Sequence, residues 1–396
     1  MAEYINGVNP EILKWARERS GYSVEAAAKT LNKKETFISE CESGDRPLTY
    51  VQLEKLADKY KRPVALFFLP NPPEEENIVD KLALRSRDVK KLEPRTLFLF
   101  RQAYSRQLSL MELNNEKNPI ENLIFRDLQF STSDIALNEE NAFELADRSR
   151  AYLNITVEMQ SNWENEKIAL ENWRNHIQDK GVFVFKDAFK DNLVDGFCLL
   201  HNEFPIIYLN NTRPSVRKVF TLSHELGHIL IGKNGITPDI TGLIKSESTE
   251  LEIFCNQFAH EFLVPTRDFK KRLNYSEYND DVIQKLAKYY KVSRHVILLK
   301  LINIGILPQD IYNQKVRNWA DQYEHQKRNE KSNKGSGGGD YYNTHLTYLG
   351  EKYTRHAFEK YHQELCSVEK LSDCLNVKVR NLEELENRFL RKAINK

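Results

Sequence analysis

The sequence predicts an α+β protein that is predominantly helical. It has an all-α unit at the N-terminus, a small antiparallel sheet near the middle and a helical segment at the C-terminus. Three observations carry this prediction. Apolar residues recur at helical spacing through most of the 396 residues. Short β-type runs cluster between residues 181 and 209. Turn chemistry punctuates the first 70 residues closely enough for a small helical bundle. At about 150 residues per domain the length allows two or three domains. A hydrophobic content of 40% and an aromatic content of 11% exclude global disorder.

Taken in order, residues 1–70 hold candidate helices at Pro10–Arg19, Val24–Leu31, Glu35–Ser43 and Thr49–Tyr60. Their gaps are Ser20-Gly21, Asn32-Lys33 and Gly44-Asp45-Arg46-Pro47. The proline-rich, acidic stretch from Leu69 to Glu76 is a domain boundary. Residues 71–160 read as a helical linker region and 161–330 as the central domain. Within it, Gly181–Phe185, Val194–Leu200 and Pro205–Leu209 are β-type runs. Strong helical patterns follow near 214–232 and 247–263, and residues 280–300 are helical again. Residues 331–339 are a Gly/Ser-rich linker, and 340–396 a helical C-terminal segment.

Charge and cysteine usage narrow the class further. With 58 basic and 57 acidic residues the net charge is +1, so any nucleic-acid contact comes from a local surface. No apolar run reaches the roughly 18 residues of a membrane helix. The N-terminus lacks the pattern of a secretory signal. Cys41, Cys198, Cys255, Cys366 and Cys374 are odd in number and scattered, with no C-x-x-C pair. That speaks against a disulfide framework or a cysteine zinc cluster, and a cytoplasmic, membrane-free protein is expected.

The chemistry concentrates in His224-Glu225-Leu-Gly-His228, an H-E-x-x-H pattern among Phe220, Leu222, Leu226, Ile229 and Leu230. A helix puts positions i and i+4 on one face, so both imidazoles can address one metal ion. Glu225 can then act as general base on a water without being a ligand. The bland alternative is a helix with two satisfied histidines and a surface glutamate. Ile231 and Asn234 stand where an extended H-x-x-G-x-x-H motif needs glycine and histidine, so that reading fails. A downstream carboxylate remains, with Glu252 the best candidate. Asn256 follows on the same face as a supporting residue, and His260 is a rival ligand two turns on. Cys255 reads as a small packing residue. Tyr208, His201 and His260 are candidate oxyanion donors. Two imidazoles with one carboxylate favour zinc, one Zn2+ per chain.

Near the N-terminus, Val24–Leu31, the Asn32-Lys33-Lys34 turn and Glu35–Glu42 have the rhythm of a helix-turn-helix. Lys33 and Lys34 could meet phosphates, Thr36 and Ser39 base edges, and Arg46 the backbone. The same 70 residues hold 11 basic and 10 acidic side chains, so a helical protein-interaction module is the competing reading.

Residues 10–70 resemble an XRE-type helix-turn-helix in Ile38-Ser39-x-x-Glu42-Ser-Gly44 and in Pro47-Leu-x-x-x-x-Leu53-x-x-Leu56-Ala57. Residues from about 165 to 300 resemble the ImmA/IrrE family of metallo-endopeptidases. The match lies in Phe220-Thr-Leu-x-His224-Glu225-Leu-Gly-His228 with Glu252-x-x-x-Asn256-x-Phe258-Ala259-x-Glu261-x-Leu-x-Pro265. The resemblance implies a gluzincin-like fold and bacterial or phage regulation. It implies a zinc held by His224, His228 and Glu252, with Glu225 as catalytic base. Such proteins typically cleave a repressor or act in toxin–antitoxin modules. Cys255 stands where the family usually has alanine. The partners expected are a protein substrate, repressor or toxin, double-stranded DNA at the N-terminal unit, and a second copy in a homodimer. The alternative is an antitoxin or transcriptional regulator whose peptidase-like domain binds without cutting. Residues 367–379 have the rhythm of a second, minimal helix-turn-helix, against a plain packing or partner-binding segment.

Overall fold

A computed structural model describes residues 4–75, 92–129, 136–232, 235–238, 250–273, 277–319 and 340–394. The expected linker at 331–339 lies outside the described residues. The chain divides into two compact units, residues 1–102 with 189–193, and residues 103–188 with 194–396.

In the first unit the four expected helices form, as α1 (Pro10–Arg19), α2 (Val24–Leu31), α3 (Glu35–Ser43) and α4 (Tyr50–Tyr60). Their starts follow the local chemistry. Asn9, Ser23 and Thr49 cap α1, α2 and α4, and Thr49 forms a reciprocal capping box with Gln52. Asn32 ends α2 in the left-handed conformation, at φ 53° and ψ 45°. The small Ala27 and Ala28 let α2 lie close to its neighbours, around a core that includes Ile12, Leu13, Ile38, Leu53, Leu56 and Tyr60. Arg17 clamps Glu42 with two hydrogen bonds, of 2.7 and 2.8 Å, tying α1 to α3. Glu42 of the helix-turn-helix motif therefore holds the fold together.

Helix α5 (Pro94–Leu113) bridges the sequence between the units. The second unit continues through α6 (Glu139–Tyr152) and α7 (Glu166–Gln178) to strands β1 (Phe183–Asp187), β2 (Val194–Leu199) and β3 (Ile206–Asn210). Helix α8 (Ser215–Leu230), strand β4 (Gly235–Pro238) and helix α9 (Glu250–Leu263) follow. The sheet order is β1-β3-β2-β4. The expected sheet is small as read, but it is mixed. β2 pairs antiparallel with β3 and with β4, whereas β1 lies parallel to β3. The link after β1 skips one position. Strand β3, turning back from β2, fills that slot and so runs along β1.

The helical stretch expected over 280–300 is two helices, α10 (Asp280–Tyr290) and α11 (Arg294–Asn303). Lys291 takes the left-handed conformation at φ 56°, and Ser293 caps the second helix by accepting from Val296 N–H. The chain closes with α12 (Tyr341–Leu349), α13 (Glu351–His362), α14 (Val368–Leu375) and α15 (Leu382–Ile394).

The sheet has two apolar faces. Val184, Cys198, Ile207 and Leu209 share one core with Leu222 and Leu226 of α8. Phe185, Phe197 and Tyr208 alternate to the other face, where Tyr353 of α13 meets Phe185 edge-on at 4.9 Å. Buried Arg174 on α7 donates to the carbonyls of Val184, Thr347 and Tyr348, and so ties the end of α12 to the sheet layer.

Candidate metal centre

Helices α8 and α9 pack against each other as a ladder of matched side chains. Gly227 makes the approach close. A Cβ at this position would lie 2.9 Å from Phe258 Cδ1 and 3.6 Å from Cys255 Sγ. Cys255 is buried and packs there as a small apolar residue, as expected. Phe220 meets His260 edge-on with centroids 5.1 Å apart, and His224 meets Asn256. The carboxylate of Glu252 faces both His224 and His228.

Those last three residues bring their donor atoms together. The two Nε2 atoms are 3.0 Å apart, and each lies 3.3 Å from an oxygen of Glu252. A tetrahedral zinc with bonds of about 2.0–2.1 Å needs ligand atoms about 3.3 Å apart. The spacing therefore fits one small cation, and the set of two imidazoles and one carboxylate suits it chemically. All three side chains, and Glu225 beside them, are buried.

The electrostatics follow from this crowding. Burial pushes the Glu252 carboxyl up, but hydrogen bonds to His224 and His228 outweigh it and hold it well below the carboxylate range. Burial likewise pushes His224 down. Its hydrogen bond to Glu252 and the charges of Glu252 and Glu225 reverse that and raise it. Asn256 Oδ1 lies 3.0 Å from His224 Nδ1. An amide oxygen accepts only, so Nδ1 carries the proton and Nε2 presents its lone pair to the cluster when the ring is neutral.

The remaining candidates fall elsewhere. His260 is not among the three clustered residues. Burial, with Lys300 and His224 adding to it, pushes its pKa down to about 3, so it is neutral at pH 7. Tyr208 fails as an oxyanion donor to this site. It points to the far face of the sheet, where its hydroxyl accepts from Arg106. His201 lies at the end of β2, with Nδ1 accepting from the N–H groups of Glu203 and Phe204. Two supports were not foreseen. Arg150 donates to the carbonyl of Phe262, and Gln160 to that of Leu263, satisfying the C-terminal end of α9. Their partners lie more than a hundred residues away in sequence, where no local signal reaches.

Residues 177–301 match the family model of the IrrE N-terminal-like domain, and residues 11–67 that of a helix-turn-helix domain. The chain joins a helix-turn-helix domain to an IrrE-like metallopeptidase domain. No curated protein matches it. The IrrE-like region contains the whole cluster and its Asn256 partner. In the helix-turn-helix domain Lys33, Lys34, Thr36 and Ser39 are exposed around the start of α3. Arg46 is also exposed, ion-paired with Glu40 at 2.6 Å and lying over the Phe37 ring. No described helix is long and apolar enough to cross a membrane.

Proposed function

We propose that this chain is a cytosolic bacterial or phage regulator with zinc-dependent endopeptidase activity. Its substrate would be a specific protein partner, such as a repressor or a toxin–antitoxin component. DNA binding by residues 1–70 would bring the peptidase to its place of action. The observation that supports the reading is the convergence of His224, His228 and Glu252 at tetrahedral spacing, with Glu225 buried on the same helix.

His224, His228 and Glu252 would hold the ion, and Asn256 would fix the His224 ring. When bound, zinc would supply Lewis acidity and bring the pKa of a water to about 7. Glu225 would take the proton from the attacking water and deliver it to the leaving amine. The buried apolar surroundings, with Leu222, Leu226 and Phe254 in the same core, keep bulk water from that proton transfer.

Glu225→Gln tests the reading. It should leave metal content unchanged and lower cleavage of the partner by about 10²–10⁴-fold, the usual worth of a general base. A variant that cuts as fast as the parent would show that Glu225 is not the base.

A further inference from the structure

Residues 367–394 repeat the helix-turn-helix of residues 23–43 in sequence, capping and burial. Ser23-Val24-Glu25 is followed by Leu31-Asn32 and then Lys34. Ser367-Val368-Glu369 is followed at the same spacing by Leu375-Asn376 and then Lys378. Each serine caps an eight-residue helix by accepting from the third N–H along, Ala26 at 3.1 Å and Lys370 at 3.2 Å. Each helix ends on a left-handed asparagine, with φ 53° and ψ 45° at Asn32 and φ 52° and ψ 47° at Asn376. The next amide then reaches back five residues, from Lys33 to Ala28 and from Val377 to Ser372, both at 3.0 Å. The second helix starts at the same offset. It begins at Glu35 in the first copy, and at Val379 in the other, where a 3-10 turn leads into α15.

The burial pattern repeats too. Ile38 and Cys41 point into the core from α3, and Leu382 and Leu385 do so at the same offsets. Glu35, Thr36 and Ser39 are exposed, and so are their counterparts Val379, Arg380 and Glu383. This is the face that a helix-turn-helix presents to the major groove. The corner alone does not produce it. In the α10–α11 corner, which turns through Lys291, the second helix is buried at Val296, Ile297, Leu298 and Leu301. The C-terminal copy also carries the right charge at its turn. Lys378 matches Lys34, and Arg380 stands in place of Thr36. Arginine there is suited to guanine edges and lysine to phosphate.

We propose that residues 367–394 form a second helix-turn-helix that contacts duplex DNA, with Lys378 on phosphate and Arg380 at the base edges. This goes beyond the DNA reading of residues 1–70, and the test separates the two. The full chain is titrated against a labelled mixed-sequence duplex of about three helical turns, at salt between roughly 50 and 200 mM. Four chains are compared: the parent, Lys378→Ala with Arg380→Ala, Lys34→Ala with Thr36→Ala, and all four changes together. Both C-terminal positions are exposed, and an unchanged melting temperature confirms folding. The C-terminal pair should weaken binding about tenfold and flatten the salt slope by about one to two, near 0.9 per lost phosphate contact. The N-terminal pair should leave binding that the combined variant loses.

An unchanged affinity and slope in the Lys378/Arg380 variant overturns the proposal. If the N-terminal pair then abolishes binding, the DNA reading of residues 1–70 stands alone. Absence of duplex binding by the parent at low salt overturns both. Binding of polyglutamate in place of duplex, lost in the Lys378/Arg380 variant, would assign the surface to an acidic protein and also overturn it.

Discussion

At the scale of single residues the account turns on tautomers and lone pairs. Asn256 accepts from His224 Nδ1 and thereby aims Nε2 at the cluster. Asn256→Ala removes that partner but none of the three clustered donors. Zinc affinity should fall about 10–100-fold, the usual cost of losing an outer partner. Equal affinity in competition with a chelator would show that the hydrogen bond does not orient the ring. The spacing of His224 and His228 was legible because it is set within one helix. Asn256 was legible as lying on the face of Glu252, but not as the partner of His224. That pairing depends on how two helices slide past each other. The failure of Tyr208 has a related cause. Alternation separates it from Ile207 and Leu209, but both faces of the sheet are apolar, so the pattern does not say which face meets α8.

At the scale of elements, the cluster exists because α8 and α9 approach closely at Gly227. Gly227→Ala would gain helix propensity of up to about 1 kcal/mol. Its new methyl would meet Phe258, which is itself held in a stack with Phe262. Overpacking of this kind costs about 1–3 kcal/mol, so a net loss of stability is expected. Chemical denaturation checks the sign, and a raised midpoint would mean that Phe258 yields freely. The helix boundaries of the first unit were legible because Asn9, Ser23, Thr49 and Gly44 mark them locally. The break at Lys291 was missed because it depends on one left-handed lysine inside an unbroken apolar rhythm. The parallel pairing of β1 was also missed, since strand order depends on links rather than on strand composition.

At the scale of the whole molecule, the C-terminal helices are built into the second unit rather than appended to it. His356 on α13 shows how. Its Nε2 donates to Asn114 Oδ1 at 2.7 Å. Burial, with Lys360 adding to it, pushes its pKa down to about 4 from an ordinary 6.5. Between those values the unfolded chain binds a proton that the folded chain does not. Stability is therefore present above about pH 6.5 and is lost as pH falls towards about 4. His356→Gln keeps a donor and cannot titrate, so its stability should change less with pH across that window. Denaturation curves at several pH values check this, and parallel curves for parent and variant would contradict it.

The claim from which the function follows is that three side chains, drawn from two helices, make one metal site. The most direct test is the metal content of the purified full chain beside that of Glu252→Ala. The account predicts about one zinc per chain in the parent, and zinc lost or bound far more weakly in the variant. A parent that takes up no metal when zinc is supplied, or a variant that binds it as tightly as the parent, would contradict the account.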